Sequence, residues 1–79
     1  MRLDILSPEG SLFGGNVDSV TLPGVVGSFT VLKNHAPLIS ALQAGKIKYK
    51  VSGSGEECEV DVKGGFTEVK KNMISVCIE

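Results

Sequence analysis

At 79 residues, with 42% of them hydrophobic, the chain is one small domain that can build a core, a composition that argues against disorder. Its net charge of −1, from eight basic and nine acidic residues, argues against a nucleic-acid binder, which needs a basic face to release counterions. No stretch approaches the ~18 apolar residues of a spanning helix, and the Met1–Gly10 opening has the pattern of neither a signal nor a transit peptide, so a soluble protein made in the cytoplasm is expected.

The apolar period along the chain is two, and breakers recur at short intervals, the pattern of an all-β fold. Leu3 and Ile5 begin a first strand, and Ser7-Pro8-Glu9-Gly10 turns it. Leu12-Phe13 reads as a short strand ended by Gly14-Gly15-Asn16. Asp18 to Leu22 alternates until Pro23-Gly24 turns the chain. On the next strand Phe29 and Val31 point one way, and Thr30 and Leu32 the other. The segment Leu38 to Ala44 is the one helix candidate, but it is short and follows a proline, so it reads as a strand.

The clearest local signal runs from Lys46 to Val62. A two-residue loop at Gly53-Ser54, of the type that wants glycine first, puts Lys50 opposite Glu57, Lys48 opposite Glu59 and Lys46 opposite Asp61. The same register sets Ile47 against Val60 and Tyr49 against Cys58 on the other face. A slip by one residue buries the charges, so this register is strongly specified. The lysine row is a solvated sheet face, because an equal acidic row lies beside it. Gly64-Gly65 then breaks the chain, Phe66 and Val69 sit on a further strand, Lys70-Lys71-Asn72 is a polar turn, and Ile74, Val76 and Ile78 alternate to the end. The expectation is a single domain over residues 1–79, a small antiparallel β-sandwich or flattened barrel of eight to ten short strands.

Little in this scaffold supports chemistry. Cys58 and Cys77 read as small hydrophobes or free thiols, and there is no Cys-x-x-Cys. One histidine, His35, cannot build a zinc site without acids joining it. His35 with either cysteine is a conceivable thiol-and-base pair, yet neither cysteine lies at a helix N-terminus, where thiolates are favoured. Gly24-Val25-Val26-Gly27 resembles the GxxG loop of KH domains, but those need flanking helices and usually a basic residue, so it reads as a glycine-framed turn. Two valines at a loop tip suit contact with a partner. No phosphate loop or paired-carboxylate pattern is present, and no cofactor or metal is expected. A binding or structural part is favoured over an enzyme.

Three segments in this order and spacing carry a resemblance. They are Leu3-Asp4-Ile5-Leu6-Ser7, the stretch from Gly27 to Leu42 with His35-Ala36-Pro37-Leu38, and Gly64-Gly65-Phe66-Thr67-Glu68-Val69. Together they resemble the epsilon subunit of bacterial F-type ATP synthases. The resemblance implies a ten-stranded β-sandwich at the foot of the central stalk, a non-catalytic rotor part that joins the gamma subunit to the ring of c subunits. It implies a peripheral position on the cytoplasmic face of the bacterial inner membrane, without membrane insertion. The ring-contacting turn of the family maps to Val25, Val26, Gly27 and Ser28. The gamma-facing positions map to Ser7, His35, Leu38, Ile39, Ser40, Gly65 and Phe66. His35 is then an interface post on a corner where Pro37 forces Ala36 to be extended, and an exposed spectator histidine is the plain alternative.

This chain departs from the family pattern at three places. Lys33-Asn34 stands where the family usually has Pro-Gly, and asparagine tolerates the left-handed conformation that the corner needs. The ring-contact turn carries no acid. The sequence stops at Glu79, so the helical hairpin that commonly follows in the family, and with it any ATP site, is expected to be absent. The second reading is a free-standing β-sandwich module that binds a peptide or carrier at an open sheet edge.

Overall fold

The computed structural model describes residues 1–79, and it is all β. Eight strands follow one another: β1 (Arg2–Ser7), β2 (Gly10–Gly24), β3 (Gly27–Leu32), β4 (Leu38–Leu42), β5 (Gly45–Val51), β6 (Glu57–Val62), β7 (Gly65–Lys70) and β8 (Met73–Ile78). They form one sheet in the order β1-β8-β7-β4-β2-β5-β6, with β3 on β2. The path closes on itself because β2 also pairs with β1. That closure flattens the sheet into two layers within a body 29 × 26 × 17 Å, the thin direction being that of two packed sheets.

The eight strands lie within the eight to ten read from the residues, and one of the ten in the resemblance is accounted for by β2, a single strand of 15 residues. Gly14-Gly15-Asn16 does not turn: Gly14 pairs with Asp4, Gly15 with Leu3 and Asn16 with Arg2. Gly15 lies close under the Phe13 ring, which a Cβ there would meet at 3.2 Å, whereas a Cβ on Gly14 would meet only the movable end of the Arg2 side chain. Nor does Pro23-Gly24 turn the chain, since both residues stay in the ladder with β3 and the turn is Val25-Val26. A straight strand of this length would span about 45–50 Å, so β2 must bend. Two bulges within it, at Leu12 opposite Ile5/Leu6 and at Asp18 between Val17 and Ser19, take up the bend.

Every pairing is antiparallel except one: β1 and β8 run parallel, Leu3 beside Ile74 and Ile5 beside Val76. The antiparallel reading of the sequence does not include that pair. The core draws on every strand. Leu3 and Ile5, Val17, Val20 and Leu22, Val31, Ile47, and Ile74 and Val76 are all at 1% exposure or less. Each such aliphatic side chain contributes roughly 1.5–3 kcal/mol by leaving water. Phe13 meets Tyr49 with ring centroids 4.4 Å apart, which fastens the first half of β2 to β5.

The β5–β6 register is the predicted one at every position from Lys50↔Glu57 to Lys46↔Asp61. The loop is not. The ladder ends at Val51, whose N–H donates to Glu56 O at 2.8 Å, and Gly55 N–H donates to Val51 O at 3.0 Å. The loop therefore holds Ser52 to Gly55, with positive φ at Gly53 (89°) and Gly55 (71°). A shorter and a longer loop about the same centre give one register, so pairing alone could not separate them.

Candidate functional site

The two outer faces of the sandwich differ in character. Beside β5 and β6 the surface is charged, with Lys46 on Glu59 (3.7 Å) and Asp61 (3.5 Å), and Lys48 on Glu59 (3.7 Å). The Thr21 and Thr30 hydroxyls meet at 2.9 Å on this side. The outward side of β4, β7, β8 and β1 carries an apolar row instead, bordered by mixed and charged ones. Pairing lines up Ala41, Phe66, Cys77 and Leu6 as one row across four strands. Leu12, the extra residue at the bulge opposite Leu6, prolongs it. In the neighbouring row Ile39, 75% exposed, precedes Glu68, Ser75 and Asp4. Phe66 is 55% exposed, and a large aromatic left that open has an unfilled side. An open depression of about 440 Å³ beside Ile39 is lined also by Pro37, Leu38, Glu68, Val69 and Lys70.

The residues singled out from the sequence divide on this frame. Ile39 and Phe66 lie on the apolar face. Leu38 and Ser40 flank Ile39 on a strand, so they turn the other way and are half-buried, Leu38 packing on the core. Gly65 has a fitting role: at φ 143° its Cβ would come 2.1 Å from Cys77 O, so the crossing of β7 over β8 admits only glycine. Ser7 closes the first turn, its hydroxyl donating to Gly10 O (3.0 Å) and accepting from Glu9 N–H (3.3 Å). Sequence reasoning missed Leu6, Ala41 and Cys77. Their signal was the period of two counted outward from Ile39 and Phe66, which needed the strand order to be read.

His35 sits half-buried in the turn between β3 and β4. Its N–H donates to Leu32 O (3.1 Å), and its ring Nδ1 lies 2.7 Å from Ala36 O. A carbonyl only accepts, so Nδ1 carries the proton and Nε2 is left for a partner. Asn34 holds the corner at φ 64°, the conformation expected of asparagine in place of glycine. No cysteine lies among the hydrogen-bond partners of His35. The Cys58 thiol contacts Glu56 instead, and burial, then that carboxylate, push its pKa up. A nucleophile needs the opposite shift.

The turn of Val25 and Val26 is the most exposed apolar point, Val26 being 99% exposed. Both valines keep negative φ, and Gly27 takes the positive angle, 143°. Gly24 leaves room for the hairpin to close, since a Cβ there would meet Gly27 O at 2.7 Å. Ser28 follows, exposed and paired with Pro23. The tip is not loose: Val25 N–H donates to Ala41 O (3.1 Å) and Gln43 N–H to Pro23 O (2.9 Å). These bonds tie the tip to the end of β4, so tip and apolar face adjoin at Ala41. No helix is long and apolar enough to cross a membrane.

Relatives share this sequence and this shape. An ATP synthase epsilon chain of Chlorobaculum tepidum is 44% identical over 77 residues, covering 98% of this chain and 86% of its own. An ATP synthase epsilon chain of Dehalococcoides mccartyi is 43% identical over 76 residues, covering 96% of this chain, which spans only 53% of that relative. A chain in the cryo-EM structure of the Euglena gracilis mitochondrial ATP synthase superimposes with a TM-score of 0.89 at 19% identity, over 96% of this chain and 48% of that one. The family described as ATP synthase, Delta/Epsilon chain, beta-sandwich domain matches residues 1–79, and the chain belongs to it.

Proposed function

We propose that this chain works as a non-catalytic rotor part of an F-type ATP synthase, holding the gamma subunit to the c-ring. The observation that carries the reading is the pairing of an apolar sheet face, with Ile39 and Phe66 exposed on it, and an adjoining tip of bare valines. Two unlike partners need two such surfaces on one stiff body. The face takes gamma, with Ile39, Phe66 and the free Nε2 of His35 in contact, and Ser7, Leu38, Ser40 and Gly65 shaping the surface beneath. Val25, Val26, Gly27 and Ser28 rest on the c-ring through an apolar contact. Close packing lets the sandwich pass torque between them with little deformation. The work is done at the cytoplasmic face of the bacterial inner membrane, peripherally.

The free-standing module reading is less well supported. It wants a basic groove at an open edge, and the open edge at β6 carries Glu57, Glu59 and Asp61.

Purified gamma subunit from the same organism, captured on the parent chain and on an Ile39→Asp, Phe66→Asp variant, tests the proposal. Capture by the parent and its loss in a folded variant are expected. A folded parent that leaves gamma in the flow-through overturns the adaptor role.

A further inference from the structure

The net charge of −1 hides an uneven distribution. Glu57, Glu59 and Asp61 on β6 stand opposite Lys50, Lys48 and Lys46 on β5, so that edge is balanced. A basic excess lies where the β3–β4 and β7–β8 turns meet. Asn34 N–H donates to Asn72 Oδ1 (2.7 Å), Asn72 Nδ2 donates to Asn34 Oδ1 (3.0 Å), and Arg2 N–H donates to Asn72 O (2.9 Å). Those bonds bring Lys33, Lys70, Lys71 and Arg2 to one end of the sandwich. Arg2 is neutralised by Asp4 at 3.0 Å. Lys33, Lys70 and Lys71 are exposed, and none of them takes part in an ion pair. Glu68 is the remaining acid nearby, two residues before Lys70 on the same face.

Two features make this end more than a solvated surface. First, Lys71 stands at φ 51° and Asn72 at 59°, the paired left-handed angles of a two-residue hairpin loop that suits Asn-Gly. A lysine there costs stability that glycine would not, so the charge is placed against local preference. Second, the end is continuous with the apolar face. Lys70, Met73 and Arg2 form the outward row next to Ile39, Glu68, Ser75 and Asp4. It is also the end of β3 away from the Val25-Val26 tip, so it points away from the surface assigned to the ring.

We infer that Lys33, Lys70 and Lys71 are a basic rim that steers and aligns an acidic segment of the protein partner covering the apolar face. The inference rests on the reading of that face as the gamma-binding surface. Rim charges act on encounter more than on the lifetime of a complex, because they attract before contact and remain solvated after it.

The test follows association and dissociation of the full chain with purified gamma subunit from the same organism, across a salt series. Lys33→Glu, Lys70→Glu and Lys71→Glu combined should slow association by about tenfold or more at low salt, leave dissociation nearly unchanged, and flatten the salt dependence. Ile39→Asp should instead speed dissociation. Association that is indifferent to salt and to the charge reversal overturns the rim while leaving the gamma-binding surface standing. A folded parent that does not bind gamma overturns both. Vesicles containing an anionic phospholipid form a separate arm: binding there by the parent, lost on charge reversal with gamma association unchanged, assigns the lysines to a membrane and overturns the inference. Circular dichroism shows that the variant is folded.

Discussion

Asn34 and Asn72, 38 residues apart, each hold a left-handed turn and bond to one another through both amides. The backbone of one turn is thus a partner of the side chain of the other, and the β3–β4 corner cannot shift without the β7–β8 hairpin. Replacing Asn72 with alanine removes two hydrogen bonds and places a poor residue at φ 59°. A loss of about 2–3 kcal/mol in urea unfolding is expected. Asn34→Gly keeps the angle and the backbone bond, so it should lose only about 1 kcal/mol. Equal losses would mean that the Asn72 Nδ2–Asn34 Oδ1 bond, the one lost in both variants, carries the effect, and that the angle at Asn72 does not.

Lys71→Gly should raise stability by about 0.5–1 kcal/mol, because it relieves a left-handed lysine in a tight hairpin loop. Thermal melting reads the change. Unchanged or lower stability would remove the claim that the lysine is strained.

Gly65→Ala should be among the most harmful single changes. A methyl group would meet Cys77 O at 2.1 Å and Ile78 Cα at 2.9 Å, both backbone, at φ 143°. Roughly 3–5 kcal/mol is expected from strain and displaced strands. A melting temperature within a few degrees of the parent would show that β7 and β8 separate easily there.

The β5–β6 loop gives a test of its length. A two-residue loop at Gly53-Ser54 places Gly55 in the strand, where alanine is harmless. The observed φ of 71° at Gly55 and 89° at Gly53 predicts that alanine at either position costs about 1 kcal/mol. Chemical denaturation of both variants decides it. Exchanging the charges of Lys48 and Glu59 together should cost no more than about 1 kcal/mol, since the swapped pair is about half exposed and what is lost is the second contact of Glu59, with Lys46.

Alkaline pH should weaken the fold through Tyr49 and Cys58. Burial first, then the neighbouring Cys58 and Glu56, raises the Tyr49 pKa above 10.0, and burial with Glu56 raises Cys58 above 9.0. Both groups are neutral when protonated, so the folded state holds the proton that the unfolded chain releases first. Their stabilisation is complete below the unfolded values and is lost as pH rises through the folded ones. Urea midpoints should fall from about pH 9 upward, less steeply in Tyr49→Phe. A flat midpoint from pH 8 to 11 contradicts the shifts.

The sequence made the β5–β6 register legible because charge and apolarity alternate in step on both strands, and only one pairing satisfies both. The corner at Asn34 was legible because few residues accept its angle. The length of β2 was not, because Gly14 and Gly15 look like a turn when their partners across the sheet are unknown. The parallel β1–β8 pair joins the two ends of the chain, and no local pattern announces it. At the site, the family resemblance alone singled out Ile39 and Phe66, and it brought Leu38 and Ser40 with them, although a strand sends neighbours to opposite faces. Leu6, Ala41 and Cys77 acquire meaning only from strand order, which places four separated residues in one row.

The unbroken course of β2 bears on how the molecule carries load. Its last residue, Gly24, abuts the valine tip, and its first, Gly10, closes on β1. A push at the tip therefore enters one continuous run of backbone, with no slack loop in series to stretch first. Along the way β3, β5, β4 and β1 each draw off part of it through rungs that run across the strand. Those rungs are loaded together in shear instead of being unzipped one after another. The tip can yield only if several strands slide at once, which makes this small body stiff along the line of β2.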